Sequence, residues 1–133
     1  MTIKEYSGYN QDEIMNLYSA VGWIAYTQDP DALRKGYENS LLVLGAYDGD
    51  KLAGIIRVVG DGQTIVFVQD ILVYPEYQRR GIGSDLLKAV LDRYSHVRQI
   101  ELVTDNTEKT IAFYRSMGFR EFSEIGCCGF MKV

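Results

Sequence analysis

The sequence predicts an α/β fold of the α+β kind: one mixed sheet with helices on both faces, in the order β-α-α-β-β-β-α-β-α-β-β. Three observations lead there. Apolar residues alternate, or run unbroken, in short stretches bounded by Asp-Gly pairs, as in "LLVLGAYDGDKLAGIIRVVG" at 41–60. Elsewhere they recur at helical spacing, as Leu86, Leu87, Val90 and Leu91 do. Three hairpin-linked strands also precede a helix that leads to another strand, which predicts an antiparallel first half and a parallel pair formed across that helix.

Each element has a local reason. "TIKEY" alternates and reads as a short first strand. "QDEIMNLYSAV" places Ile14, Leu17, Tyr18 and Val21 on one helical face, and "GWIAYTQ" interrupts the pattern. "DPDALRKGYENS" opens with Asp29 as N-cap and Pro30 at the first helical position. "LLVLGAY", Asp48-Gly49 and "KLAGIIRVVG" read as strand, tight turn, strand. Asp61-Gly62 turns the chain into "TIVFVQDILV". A helix from Gly81 to about Tyr94 follows, then the strand "RQIELVT". "TEKTIAFYRSMGF" is a helix closed at Gly118, and "REFSEI" and "CGFMKV" are expected as a final strand pair.

Composition bounds the rest. A chain of 133 residues suits one domain, spanning 1–133, with a real core. Hydrophobic residues at 47% and charged residues at 24% are ordinary for a globular protein. A net charge of −4 disfavours nucleic acid as a partner. No stretch reads as a signal peptide or a membrane span, so no membrane partner and a cytoplasmic location are expected. The adjacent Cys127 and Cys128 are poor candidates for a disulfide, and with His96 the only histidine no metal site is expected.

The stretch with chemistry in it is "YPEYQRRGIGSDLLKAVL", residues 74–91. Its glycines mark a strand-to-helix turn. The backbone amides from Arg79 to Ser84 open a helix, where N–H groups lack partners and the dipole is positive. Gly81 and Gly83 remove side chains, so a diphosphate can reach that backbone, and Arg79 and Arg80 add charge at the rim. A dinucleotide fingerprint is excluded because position 86 is leucine. A P-loop is excluded because no Gly-Lys-Ser/Thr is present.

Together with the preceding Val-x-Pro, "VYPEYQRRGIG" resembles the signature loop of the GNAT superfamily of acetyl-CoA-dependent N-acetyltransferases. "FYRSMGF", residues 113–119, is similar to the segment in that family's last helix, and the element order agrees over nearly the whole chain. "VGW", "NSLLV", "RVVGDG" and "QDILVYPEYQRRGIG" further resemble the branch of plant-type serotonin N-acetyltransferases and their bacterial relatives. The resemblance implies transfer of an acetyl group from acetyl-CoA to a primary amine, small molecule or peptide, in a ternary complex. A non-catalytic acyl-CoA-binding module on the same fold is the alternative. A homodimer through the last strands stays open.

The resemblance also implies a site. The backbone of Ile71, Leu72 and Val73 would hold the donor's pantetheine arm beside a bulge, with an amide near Leu72 meeting the thioester oxygen. The diphosphate would lie on Gln78, Arg79, Arg80, Gly81, Ile82, Gly83 and Ser84. Tyr114 would protonate the departing thiolate. The family often places an asparagine seven residues before this tyrosine. Here that position is Thr107, with Asn106 one step off as a cofactor contact or helix cap. Asp70, a carboxylate within an apolar strand, reads either as general base or as the partner of Arg57 in an ion pair. Trp23 and Tyr26, between the first helices, would wall the acceptor pocket.

Overall fold

The structure is a computed structural model that describes residues 1–133. The chain forms two compact units, Met1–Val103 and Thr104–Val133.

The first unit runs β1 (Thr2–Glu5), α1 (Gln11–Ala20), α2 (Ile24–Thr27), α3 (Pro30–Glu38), β2 (Leu42–Asp48), β3 (Lys51–Gly60), β4 (Ile65–Val73), α4 (Ile82–Arg93) and β5 (Gln99–Leu102), with a 3-10 turn at Pro75–Tyr77. The five strands lie in sequence order. The first four pair antiparallel, and β4 pairs parallel with β5. Capping begins α1 and α3 where the local sequence dictates: Asn10 accepts from the Glu13 amide at 3.1 Å and Asp29 from the Ala32 amide at 3.2 Å. The stretch 22–28 is not merely an interruption, because it holds the single turn α2.

Strand β3 is buried from Leu52 to Val58 without a break, as a central strand covered on both faces must be. On one face Leu52, Ile55 and Leu72 pack with Ile14, Leu17, Tyr18, Leu33 and Tyr37 from α1 and α3. The buried Ile82, Leu86, Leu87 and Val90 of α4 pack against β2, β3 and β4. Each apolar face removed from water contributes at roughly 25 cal/mol per Å².

One irregularity matters for the site. Arg57 pairs with Asp70 but Val58 pairs with Val68, so Gln69 is an extra residue in β4. The bulge hands the strand from one face of the sheet to the other. Val68, opposite Val58, lies on the face away from Ile55, whereas Asp70 and Leu72, opposite Arg57 and Ile55, lie on the face of α1 and α3.

The second unit holds α5 (Glu108–Ser116) and a 3-10 turn at Phe122–Ile125. Phe119 N–H reaches Tyr114 C=O at 3.0 Å and Gly118 N–H reaches Arg115 C=O at 3.1 Å, with Gly118 at φ 92, a Schellman ending. The expected final strand pair does not form. Glu121 and Glu124 cap each other's backbone, and Arg115 bridges both carboxylates at 2.7 and 2.9 Å, which closes residues 120–125 into a local turn. Residues 127–133 pair with no strand. The last strands, through which a homodimer stood open, are therefore not formed. Cys127 and Cys128 are exposed and free. No helix is long and apolar enough to cross a membrane.

Candidate active site

Three contacts and one backbone conformation build the loop after β4. Gln78 Nε2 donates to the Val73 carbonyl at 3.1 Å and ties the loop back to the strand. Tyr77 is buried, with its hydroxyl donating to Asp48 Oδ2 at 2.7 Å. The Arg80 guanidinium sits over the Tyr77 ring, 5.3 Å from its centre. Arg79 takes a φ of 65, a left-handed value that costs a non-glycine residue about 1 kcal/mol or more.

Gly81 then caps α4 at φ 78 with no side chain to offer. The first backbone bond of the helix is Asp85 N–H to Gly81 C=O at 2.9 Å. The amides of Ile82, Gly83 and Ser84 have no hydrogen-bond acceptor from backbone or side chain. Three aligned donors, a positive helix end and two exposed arginines make a receptor for a compact anion.

Strand β4 leads into this loop with one edge bare. Its parallel ladder with β5 runs only from Ile65 to Val68, so Gln69–Val73 has no strand on that side. Which backbone groups face the bare side follows from the register. Tyr74 N–H bonds Ala53 C=O at 2.9 Å, and bonded pairs recur every second residue, so Leu72 also turns its N–H and C=O toward β3. A Cβ placed on Gly54 would lie 2.8 Å from the Leu72 oxygen, in agreement. Ile71 and Val73 face the open edge. Of the three residues expected to meet the donor's arm, Leu72 thus turns its amide toward β3, and its neighbours Ile71 and Val73 present theirs to the open edge.

Asp70 is 1% exposed and Arg57 6%. Arg57 Nε donates to Asp70 Oδ2 at 2.7 Å, and Tyr18 OH donates to the same oxygen at 2.8 Å. Tyr18 and Tyr37 hydroxyls are 2.9 Å apart. Because the Tyr18 proton is committed to Asp70, Tyr37 is the donor in that pair. Burial, above all, pushes both phenols far above the ordinary tyrosine range, so both keep their protons. Asp70 Oδ1 is buried without a partner.

Trp23 and Tyr26 stack with ring centres 6.1 Å apart, and Tyr18 meets both edge-on at 6.2 and 5.3 Å. Tyr26 also lines a pocket of about 270 Å³ between α2 and α3, with Leu33, Gly36 and Arg57. Gln69 Nε2 donates to Tyr26 OH at 3.1 Å, so the bulge residue joins the aromatic wall to the bare strand edge. Gln69 was not singled out in the sequence. Its signal was there: two adjacent polar residues, Gln69 and Asp70, break the alternation of an apolar strand.

In the second unit Tyr114 lies half-buried on α5 between Phe113 and Phe119, at ring-centre distances of 5.0 and 5.9 Å. Burial raises its phenol pKa, and the Thr104 side chain pulls the other way. The cap of α5 is Thr107, which accepts from the Thr110 amide at 3.2 Å, so Asn106 does not take that role. Threonine wins because its hydroxyl reaches the third amide of the helix from the first non-helical residue. His96, outside this region, faces the Gly62 carbonyl at 3.1 Å.

Residues 10–119 match the model of the acetyltransferase (GNAT) family. An uncharacterized N-acetyltransferase of Prochlorococcus marinus is 30% identical over 114 residues, 80% of this chain and 61% of that protein. The N-alpha-acetyltransferase RimI of Mycobacterium tuberculosis is 41% identical over 81 residues, 58% of this chain and 51% of that protein. The matches thus span 51% to 61% of the length of these curated relatives. A solved structure of a GNAT family acetyltransferase from Streptococcus pneumoniae is 42% identical, with a TM-score of 0.89 over 99% of this chain and 96% of that one.

Proposed function

Because the chain belongs to the acetyltransferase (GNAT) family, we propose that it moves an acetyl group from acetyl-CoA to a primary amine by direct transfer in a ternary complex. One observation carries this reading: uncapped amides at Ile82–Ser84 lie one loop beyond a strand whose edge is bare from Gln69 to Val73. A donor with a diphosphate at one end and amides along its arm fits that sequence of surfaces. Acetyl-CoA, when bound, supplies the acetyl group as an activated thioester.

The roles of the chain's own residues follow. Ile82, Gly83 and Ser84 bind the diphosphate through their amides, with Gly81 keeping the approach open. Arg79 and Arg80 add charge at the rim, and Gln78 holds the loop to β4. Ile71 offers its N–H and C=O and Val73 its N–H to the donor's arm, since the Val73 carbonyl already accepts from Gln78, and an amide so placed stabilises charge on a carbonyl oxygen. Tyr114, protonated at neutral pH, acts as the acid for the leaving thiolate. Trp23 and Tyr26 form the acceptor wall. We keep the branch resembling serotonin N-acetyltransferases within this proposal, since an aromatic wall suits an arylalkylamine. A peptide amine is the competing acceptor.

The test is release of free CoA thiol across a library of arylalkylamines, alkylamines and peptides with free N-termini. Release with at least one class is expected. Tight acetyl-CoA binding by calorimetry with no release from any amine would leave a non-catalytic acyl-CoA-binding module. ATP displacing CoA as well as CoA itself does would point to a general nucleotide-phosphate binder.

A further inference from the structure

The structure assigns Arg57 and Asp70 a positioning role: their buried pair fixes the register of β4 at its bulge and so decides which amides face the bare edge. Two registers are open to β4 against β3. With the bulge, Asp70 sits opposite Arg57 and takes its guanidinium and the Tyr18 hydroxyl. Without it, the pairing of Val58 with Val68 would continue regularly, placing Gln69 opposite Arg57 and Asp70 opposite Ile56. Asp70 would then lie on the other face of the sheet from Ile55, among apolar neighbours and without its cation. A lone buried carboxylate is among the costliest arrangements a protein interior can hold. The ion pair therefore selects the bulged register over the regular one.

The consequence reaches the site through parity. A slip of one residue reverses the direction of every following backbone group. In the regular register Leu72 would face the open edge, and Ile71 and Val73 would bond to β3. The Arg57–Asp70 pair, with Tyr18 behind it, thus sets the two amides offered to the donor without touching the donor. The same step fixes Gln69 on Tyr26, so the acceptor wall and the donor edge share one determinant. For Asp70 this gives a role other than general base. Its importance to turnover rests on the acetyltransferase reading, whereas the register does not.

Amide hydrogen exchange by NMR tests the register directly. In the native chain Leu72 should exchange slowly, while Ile71 and Val73 exchange at least tenfold faster. Arg57→Leu combined with Asp70→Leu removes both charges and keeps the site apolar, so it should fold. That variant should lose the contrast or reverse it, and acetyl-CoA affinity should fall at least tenfold. Arg57→Lys retains a pair and should restore the native pattern. Should the double variant not fold, Asp70→Asn measured below its melting point takes its place, with the same expectation. A folded variant of either kind with native exchange at all three amides overturns the proposal. The pH profile separates the roles of Asp70. Asp70→Asn should lower turnover with an unchanged profile shape, and disappearance of its acidic limb would make Asp70 the base. If native protein neither binds acetyl-CoA nor turns over, the functional reading fails while the exchange contrast still judges the register.

Discussion

Gly83 lies in the first turn of α4 with ordinary negative φ, so its backbone needs no glycine. Glycine inside a helix costs about 0.5–1 kcal/mol relative to alanine. What it provides here is the absence of a side chain beside three free amides. Gly83→Ala should therefore raise the melting temperature while weakening acetyl-CoA binding, measured by thermal unfolding and calorimetry on the same sample. Unchanged affinity would remove that position from the diphosphate site. Tyr114 poses the opposite question, because its phenol is half-buried and protonated. Tyr114→Phe keeps the aromatic packing on Phe113 and Phe119. If the hydroxyl donates to the thiolate, turnover should drop by roughly 10²–10⁴ with little change in acetyl-CoA affinity. Full activity with a lowered melting point would make Tyr114 a packing residue only. Arg79 and Arg80 are exposed, so each change to alanine should weaken acetyl-CoA binding modestly, and the loss should shrink as salt rises. A salt-independent loss would mean that the arginines act by packing.

The turn from β3 to β4 is organised by one carboxylate. Asp61 accepts from the amides of Gln63, Thr64 and Ile65 and from the Thr64 hydroxyl. Those donors, the Thr64 hydroxyl foremost, hold its pKa below the ordinary aspartate range. A depressed native pKa means stability that is fully present above the unfolded value, about 4, and is lost as pH falls toward the native one. Asp61→Asn should thus flatten the acid side of the stability curve below about pH 4, as followed by urea unfolding. A variant curve parallel to the native one in that range would count against the turn. Elements held by such short-range chemistry were legible in the sequence: the Asp29–Pro30 start of α3, the Gly118 ending of α5, and the glycine-opened α4. Those without a signal inside their own segment were not. The tail at 120–133 has alternating residues suited to strands, yet Arg115, from the preceding helix, draws Glu121 and Glu124 into a turn. Likewise α2 is four residues long and carries no cap signal.

Across the whole molecule, the mixed sheet was readable because hairpin turns and one crossover helix leave few topologies open. The glycine loop that opens α4 was readable because its residues are contiguous. The direction of the Leu72 amide was not: the adjacent polar pair Gln69 and Asp70 marks the neighbourhood of the bulge, but only the pairing with β3 says which of the two is the extra residue. Nor was the link from Gln69 to Tyr26, which joins residues 43 positions apart. The bare stretch of β4 has a further consequence, for the life of the protein rather than its chemistry. An open strand edge with apolar neighbours is a template on which another chain can polymerise. If acetyl-CoA lies along it, the donor shields the protein from its own kind. Protein stripped of donor should scatter light on gentle heating sooner than protein given saturating acetyl-CoA, beyond the delay that about 2.7 kcal/mol of binding linkage at a hundredfold excess over Kd explains. Pantetheine, the donor's arm without its diphosphate and nucleotide, should give part of that protection. A cell short of acetyl-CoA would then lose this protein to aggregation before losing it to unfolding, and its abundance would follow the acetyl supply.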